Sequence, residues 1–539
     1  MKRIILFPLF LFFIVPAFSQ GKHQFTLGKE DFLLDGKPLQ LISGEMHPAR
    51  IPKEYWRHRI QMAKAMGCNS IAAYIFWNYH EAKPGVFDFS SENRDIAEFV
   101  RICQQENMWV LLRPGPYVCA EWDFGGLPVS LLKIPDIKIR CMDPRYMKAV
   151  ETYISALARQ IKSLQVTAGG PILMVQIENE YGSYGNDKAY LERLRELWLK
   201  NGINVPFYTA DGPTPYMLEA GNIDGAAIGL DSGSSEADFE QAKKRNLNVP
   251  AFSSETYPGW LTHWGEKWQR PDTNDLKKEV EFLLKTKRSV NFYVIHGGTN
   301  FGFTAGANAF SPTAYQPDIT SYDYDAPINE QGQPTAKYFM LRNLISKYSS
   351  TPLPEIPAPQ KVIYVQEIPM KRVQSIWEVL PAPVLSPQPL PMEMLDQNQG
   401  LMLYRTELIG HKSGKLTIWE PHDYALVFLD GVFIDTVFRD GGKWTVDLPK
   451  TSANPNPVLD ILVEGMGHIN FAQFMIDRKG ITDRVTLNGM TLMNWKQYSL
   501  PMNEAFVAKA LKEPRFDAKG RNGQFFTGQF TLEETGDTF

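Results

Sequence analysis

From residue 24 to about 345, short apolar runs alternate with amphipathic stretches, and the two periods predict strands and helices in turn. Strand-length apolar runs fall at 39–43, 69–76, 109–113, 171–177, 207–209, 225–229, 251–254 and 291–295. Runs that are apolar on both faces mark parallel strands buried between helices. Helical spacing fills several of the gaps. Trp56, Ile60, Ala63 and Met66 share one face, and Gly67 follows as a C-terminal cap. Asp143-Pro144 opens a second helix whose buried face is Tyr146, Val150, Tyr153, Leu157 and Ile161. A third starts near Asn186, buries Tyr190, Leu194 and Leu197, and stops at Asn201-Gly202. This alternation predicts an α/β class chain with a (β/α)8 TIM barrel over 24–345. A doubly wound sheet is the alternative, but no glycine-rich phosphate fingerprint follows the first strand.

The pattern then breaks. Prolines crowd 346–400 and resist both helix and central strand, so this segment is expected to be a linker. Beyond it, short strands with tight turns predict an all-β sandwich, jelly-roll-like, over 401–515. Its clearest hairpins turn at Asp430-Gly431 and Asn488-Gly489. Residues 516–539 read as the start of a further β-domain, truncated where the sequence stops.

Composition narrows the picture only in places. A chain of 539 residues exceeds one core, so two or three domains are expected. A net charge of −4 offers no basic field for nucleic acid. Lys2-Arg3, an apolar stretch over 4–18 and the small residues of Ala17-Phe-Ser19 form a cleavable secretory signal over 1–19. Export to the periplasm or outside the cell follows. The apolar run is shorter than the ~20 residues a span needs, so no membrane anchor is expected. Four cysteines make no disulfide framework. Cys119 and Cys141 are the one pair considered for a bridge. No feature fixes an oligomeric state.

The candidate chemistry lies where two apolar runs end. Pro171-Ile-Leu-Met-Val-Gln-Ile-Glu-Asn-Glu180 and Val249-Pro-Ala-Phe-Ser-Ser-Glu255 each finish in carboxylates, and barrel enzymes place their chemistry at strand C-terminal ends. Paired carboxylates from distant strands are the equipment for glycoside hydrolysis. Glu178, two residues before Glu180, falls on the same side of an ideal strand, in a supporting or structural role. His47, His80, His263 and His296 have irregular spacing, so they read as hydrogen-bonding residues, with no metal and no cofactor.

Several motifs together are similar to glycoside hydrolase family 35. They are Gln176-Ile-Glu-Asn-Glu-Tyr-Gly182, Arg113-Pro-Gly-Pro-Tyr-Val-Cys-Ala-Glu-Trp122 and Ser321-Tyr-Asp-Tyr-Asp-Ala-Pro327, with Trp77-Asn-Tyr-His-Glu81 and His296-Gly-Gly-Thr-Asn-Phe-Gly302. The resemblance implies a retaining exo-β-galactosidase acting on terminal β-galactose of an oligosaccharide or glycan. It assigns Glu180 as acid/base and Glu255 as nucleophile, an order the residues alone do not supply. It further implies that Tyr74, Ala120, Glu121, Asn179 and Tyr324 line the sugar site. Trp122, Trp260 and Trp264 stand near these motifs as candidates for a stacking wall. Gly44-Glu-Met-His47 departs from the Ser-Ile-His type stretch more usual there, which bears on specificity at the first strand. The alternatives are a related exo-β-glucosaminidase and a carbohydrate-binding protein that has lost catalysis. The presence of both glutamates argues against the latter.

Overall fold

A computed structural model describes residues 21–311, 313–450, 454–512, 522–534 and 536, so the signal-like segment 1–19 lies outside the described residues. Eight parallel strands close a barrel. In chain order they are β1 Ile42–Met46, β2 Ser70–Tyr74, β3 Trp109–Arg113 and β4 Ile172–Gln176. They continue as β5 Phe207–Asp211, β6 Ala227–Asp231, β7 Ala251–Thr256 and β8 Val290–His296. Each strand pairs with its neighbours in sequence, and β8 returns to β1 through Val290 opposite Ile42.

The helices start and stop where local chemistry dictates. α1 spans Trp56–Met66 and ends on Gly67, whose φ of 113° suits glycine. α2 spans Pro144–Ile161, with Asp143 accepting a hydrogen bond from the Arg145 backbone and proline in the first turn. α3 spans Lys188–Lys200 under an Asp187 cap.

The first strand begins later than its apolar run suggested, because Lys37–Leu39 belongs to a small antiparallel sheet with Phe25–Leu27 and Phe32–Leu34. Strands β5, β6 and β7 each run two residues further than expected. Their extra residues include Asp211, Asp231 and Glu255-Thr256.

After the barrel comes a sandwich of a six-stranded and a four-stranded antiparallel sheet around a second core that includes Leu416, Val427, Ile461 and Leu487. Both expected hairpins form, with positive φ at Asp430, Gly431, Asn488 and Gly489 as such turns require. The proline-rich segment is more than a linker. Val384–Ser386, flanked by Pro383 and Pro387, adds an edge strand to the larger sheet, the position where prolines are tolerated. Lys371–Ser375 pairs with Gln524–Thr527, so the late apolar run finds its partner in that segment rather than in the sandwich sheets. Ile376, Trp377 and Phe525 pack on the sandwich's outer face against Leu403 and Phe428. All four cysteines are free, so Cys119 and Cys141 form no bridge.

Candidate functional site

The barrel strands deliver their C-terminal residues to one end. Glu180 follows β4, Glu255 lies within β7, Tyr74 ends β2 and Asp231 ends β6. Glu255 is 4% exposed. Glu180 keeps a partly exposed face. The two glutamates occupy contrasting environments.

Glu255 is surrounded by donors. Arg113 forms an ion pair with it, the Tyr257 hydroxyl donates at 2.9 Å and the Tyr74 hydroxyl at 3.3 Å. Burial raises its pKa, the Arg113 charge opposes that rise, and the nearby Glu45 carboxylate adds to it. Glu180 has acidic neighbours instead. Burial first, then the charges of Asp231 and Glu255, push its pKa well above the carboxylate range, with Arg140 opposing. A hydrogen bond between Glu180 and Asp231 also favours the protonated Glu180, so it is the donor. Asp231 is itself raised to about 6, chiefly by burial and then by Glu255. The Tyr257 hydroxyl bridges Asp231 and Glu255, so the carboxyl groups form one hydrogen-bonded chain.

Asn179 is locked between these environments. Its Oδ1 accepts from Tyr74 at 2.8 Å, Gln176 at 2.9 Å and Arg113 at 3.0 Å. That fixes the side-chain orientation and leaves Nδ2 facing Glu180 Oε2 at 3.2 Å. Arg113 also grips Glu45, which takes a 2.7 Å bond from Asn291. This places the unusual Gly44-Glu-Met-His47 stretch. Glu45 is a buried counter-ion for Arg113, and a side chain at Gly44 would meet Ile295 at 2.8 Å.

Tyr74, Ala120 and Tyr324 fall in one cluster with Phe76, Trp122, Tyr293 and Tyr322, distinct from the barrel core. Glu121 is 7% exposed and accepts from the Tyr322 hydroxyl at 2.5 Å, while burial raises its pKa. Arg50 donates to the Ala120 carbonyl at 2.5 Å and lies 3.6 Å from the Tyr322 ring centre. Cys119, Ala120, Glu121, Glu180 and Tyr324 all have positive φ between 45° and 63°. Non-glycine residues in the left-handed region are uncommon and gather at functional sites, held there by the surrounding structure.

Three expectations need correction or sharpening. Glu178 does not share a strand face with Glu180, because β4 stops at Gln176 and both glutamates take left-handed backbone. It forms a two-pronged pair with Arg140 at 3.0 and 2.8 Å and accepts from Tyr190, which is a structural role. Trp122 is buried, stacked 3.9 Å from Phe76, whereas Trp260 and Trp264 are 45% and 70% exposed. Three of the four histidines hydrogen-bond to protein through their rings, and His263 stands 3.1 Å from the Glu266 carboxylate. His47 meets Arg50, His80 meets the Asp88 carbonyl, and His296 meets the carbonyls of Ile328 and Asn329.

Sequence reading overlooked Asp231, Tyr257 and Glu45 as site residues. The rule that found Glu180 and Glu255, an apolar strand ending in a carboxylate, also finds Asp231 once the strand is extended to its true end.

Comparison with known proteins gives the family. The model for glycosyl hydrolases family 35 matches residues 31–348, and that for the first all-beta domain of beta-galactosidase matches 389–501. A beta-galactosidase of Xanthomonas manihotis is 37% identical, covering 90% of this chain and 82% of that one. Beta-galactosidase 17 of Arabidopsis thaliana is also 37% identical, covering 96% and 80%. The human beta-galactosidase is 36% identical, covering 90% and 73%. Among solved structures, a GH2 beta-galacturonidase from Eisenbergiella tayi aligns with a TM-score of 0.40 at 13% identity, over 60% of this chain and 54% of that one, too loose to bear on substrate. With the family model covering the whole barrel and relatives matching nearly the full length, the chain belongs to glycosyl hydrolases family 35.

Proposed function

We propose that this chain is an exported exo-β-galactosidase that removes terminal, non-reducing β-linked galactose from oligosaccharides or glycans with retention of configuration. The activity named for its relatives motivates the galactose, and the signal-like 1–19 segment motivates export to the periplasm or outside the cell. The observation that carries the mechanism is the contrast between the two glutamates. Glu255 accepts hydrogen bonds and an ion pair from Arg113, Tyr257 and Tyr74, which favours the carboxylate a nucleophile needs. Glu180, raised further by burial and two acidic neighbours, holds a proton to donate.

In the first step Glu255 attacks the anomeric carbon while Glu180 protonates the glycosidic oxygen, and the aglycone leaves as an alcohol. In the second, Glu180 takes a proton from water, which attacks the galactosyl ester and frees Glu255. This reading assigns Asn179 Nδ2 and the Glu121 carboxyl group to sugar hydroxyls, and a site built to hydrogen-bond specific hydroxyls rejects epimers.

Purified enzyme assayed on nitrophenyl β-galactoside, β-glucosaminide and β-glucoside tests the substrate. Turnover of the galactoside far above the others supports the reading. A preference for the glucosaminide, or inertness on all three, overturns it.

A further inference from the structure

Glu45 lies in β1, is fully buried, and takes no part in the two steps above. In this stretch Ser-Ile-His is more usual than Glu-Met-His, so a buried charge stands where an uncharged hydroxyl is more common.

The partners of Glu45 fix its ionisation. Arg113 pairs with it, and Asn291 Nδ2 donates to Oε2 at 2.7 Å. The third partner is His47, whose tautomer Arg50 decides. A guanidinium only donates, so Arg50 Nη1, 2.7 Å from His47 Nδ1, makes that nitrogen an acceptor. Burial, then the charges of Arg50 and Arg113, hold the ring well below the usual histidine range, so it is neutral and carries its proton on Nε2. That nitrogen stands 3.3 Å from Glu45 Oε1 and donates to it. All three partners are donors, which is the setting of a carboxylate. Burial pushes the Glu45 carboxyl up, and the Arg113 charge and the Asn291 bond oppose it.

The cation that holds Glu45 also holds Glu255. Arg113 gives Nη1 to Glu45 and Nη2 to Glu255, while its Nε donates to Gln176 at 2.6 Å. One buried positive charge therefore serves two buried carboxylates. The other acids facing Glu255 are Glu180 after β4 and Asp231 at the end of β6. The phenols of Tyr74, Tyr208, Tyr257 and Tyr324 face it too, and burial raises each of them, so they are neutral. Around Glu45, Arg50, His47 and Tyr293 complete the charged and titratable groups. A like charge disfavours a carboxylate and a nearby cation favours it. Glu45 acts on Glu255 in one direction by both routes, through its own charge and by offsetting part of the Arg113 charge.

We propose that Glu45 is a positioning residue for the nucleophile: by taking one arm of the Arg113 fork it limits how firmly Glu255 is held as a carboxylate, and so places the acid limb of the pH–rate profile. The proposal rests on the reading of Glu255 as nucleophile. A nucleophile must be ionised, so removing the Glu45 charge lets Glu255 work at lower pH. The test follows kcat/KM on nitrophenyl β-galactoside against pH for the parent, Glu45→Gln, Glu45→Ser and Glu45→Asp, with circular dichroism to check folding. Glu45→Gln and Glu45→Ser are expected to move the acid limb down by about 1 pH unit, the low end of what a neighbouring charge does, and to leave the alkaline limb in place. Glu45→Asp keeps the charge and is expected to keep the limb. An unmoved acid limb in folded Glu45→Gln, a shift of both limbs together, or an equal shift in Glu45→Asp overturns the proposal. So does failure of both uncharged variants to fold, which would make Glu45 a structural residue. If the parent leaves the galactoside intact, the galactosidase reading is what has failed. The coupling is then read as the Tm difference between parent and Glu255→Gln across pH, which changes where Glu255 titrates. With Glu45→Gln as background, that change should fall about 1 pH unit lower. The same position in both backgrounds overturns the proposal.

Discussion

Asp231 separates the two glutamates at the scale of single residues. It bonds Glu180 directly and reaches Glu255 through the Tyr257 hydroxyl. Its charge and hydrogen bond both raise Glu180, so Asp231→Asn should lower the Glu180 pKa. In the proposed mechanism Glu180 acts in its protonated form, so the alkaline limb of kcat/KM against pH should move to lower pH in Asp231→Asn. A limb that stays in place, or moves up, excludes this coupling. Glu180 and Glu255 were legible in the sequence because each closes an apolar run, whereas their contrasting environments were not. Arg113 stands well before Glu255 in the chain, and only barrel closure brings their side chains together.

At the scale of elements, the loops leaving β7 and β8 carry Tyr257, Trp260, Tyr322 and Tyr324, and glycines let their backbones pack closely, Gly259 between the two loops and Gly297 within the second. A β-carbon at Gly259 would collide with the Tyr324 carbonyl oxygen, and one at Gly297 with that of Tyr322. Gly259→Ala should therefore push Tyr324 out of place. We expect a loss of about 100-fold in kcat/KM, as misplacement of a site by about 1 Å can cause, with the circular dichroism spectrum unchanged. Full activity in a folded variant would show that the Tyr324 position is not critical. Helix limits were legible because caps are local: Gly67 and Asp143-Pro144 act within one turn. Strand limits were less so. Leu39 belongs to a neighbouring sheet, and β6 continues past its apolar core to a polar end.

At the scale of the whole molecule, buried charge joins barrel to sandwich. His468 bonds Asp123 and Glu393, each at 2.8 Å, and these partners raise its pKa to about 10 against burial. A histidine raised in the folded state contributes stability that is full below its unfolded value of 6.5 and is lost as pH rises through about 10. His468→Gln should cost about 3–5 kcal/mol near pH 6, because it breaks a buried charge network. The cost should shrink toward pH 10, read as the difference in Tm between variant and parent. A pH-independent difference would deny the charged state. Arg478 adds bonds to the carbonyls of Leu132, Ile134 and Pro135. The sequence showed two folds and a proline-rich stretch between them. It did not show that the stretch would pair with Gln524–Thr527, because that partner lies far along the chain and strand pairing leaves no local mark.

The central claim is that Glu255 becomes covalently linked to galactose. Incubation with dinitrophenyl 2-deoxy-2-fluoro-β-galactoside slows both steps but leaves a good leaving group, so the glycosyl-enzyme should accumulate. Peptide mass spectrometry should then find the fluorogalactosyl mass on the fragment containing Glu255. Label on another residue, or continued turnover with no labelled peptide, would contradict the account.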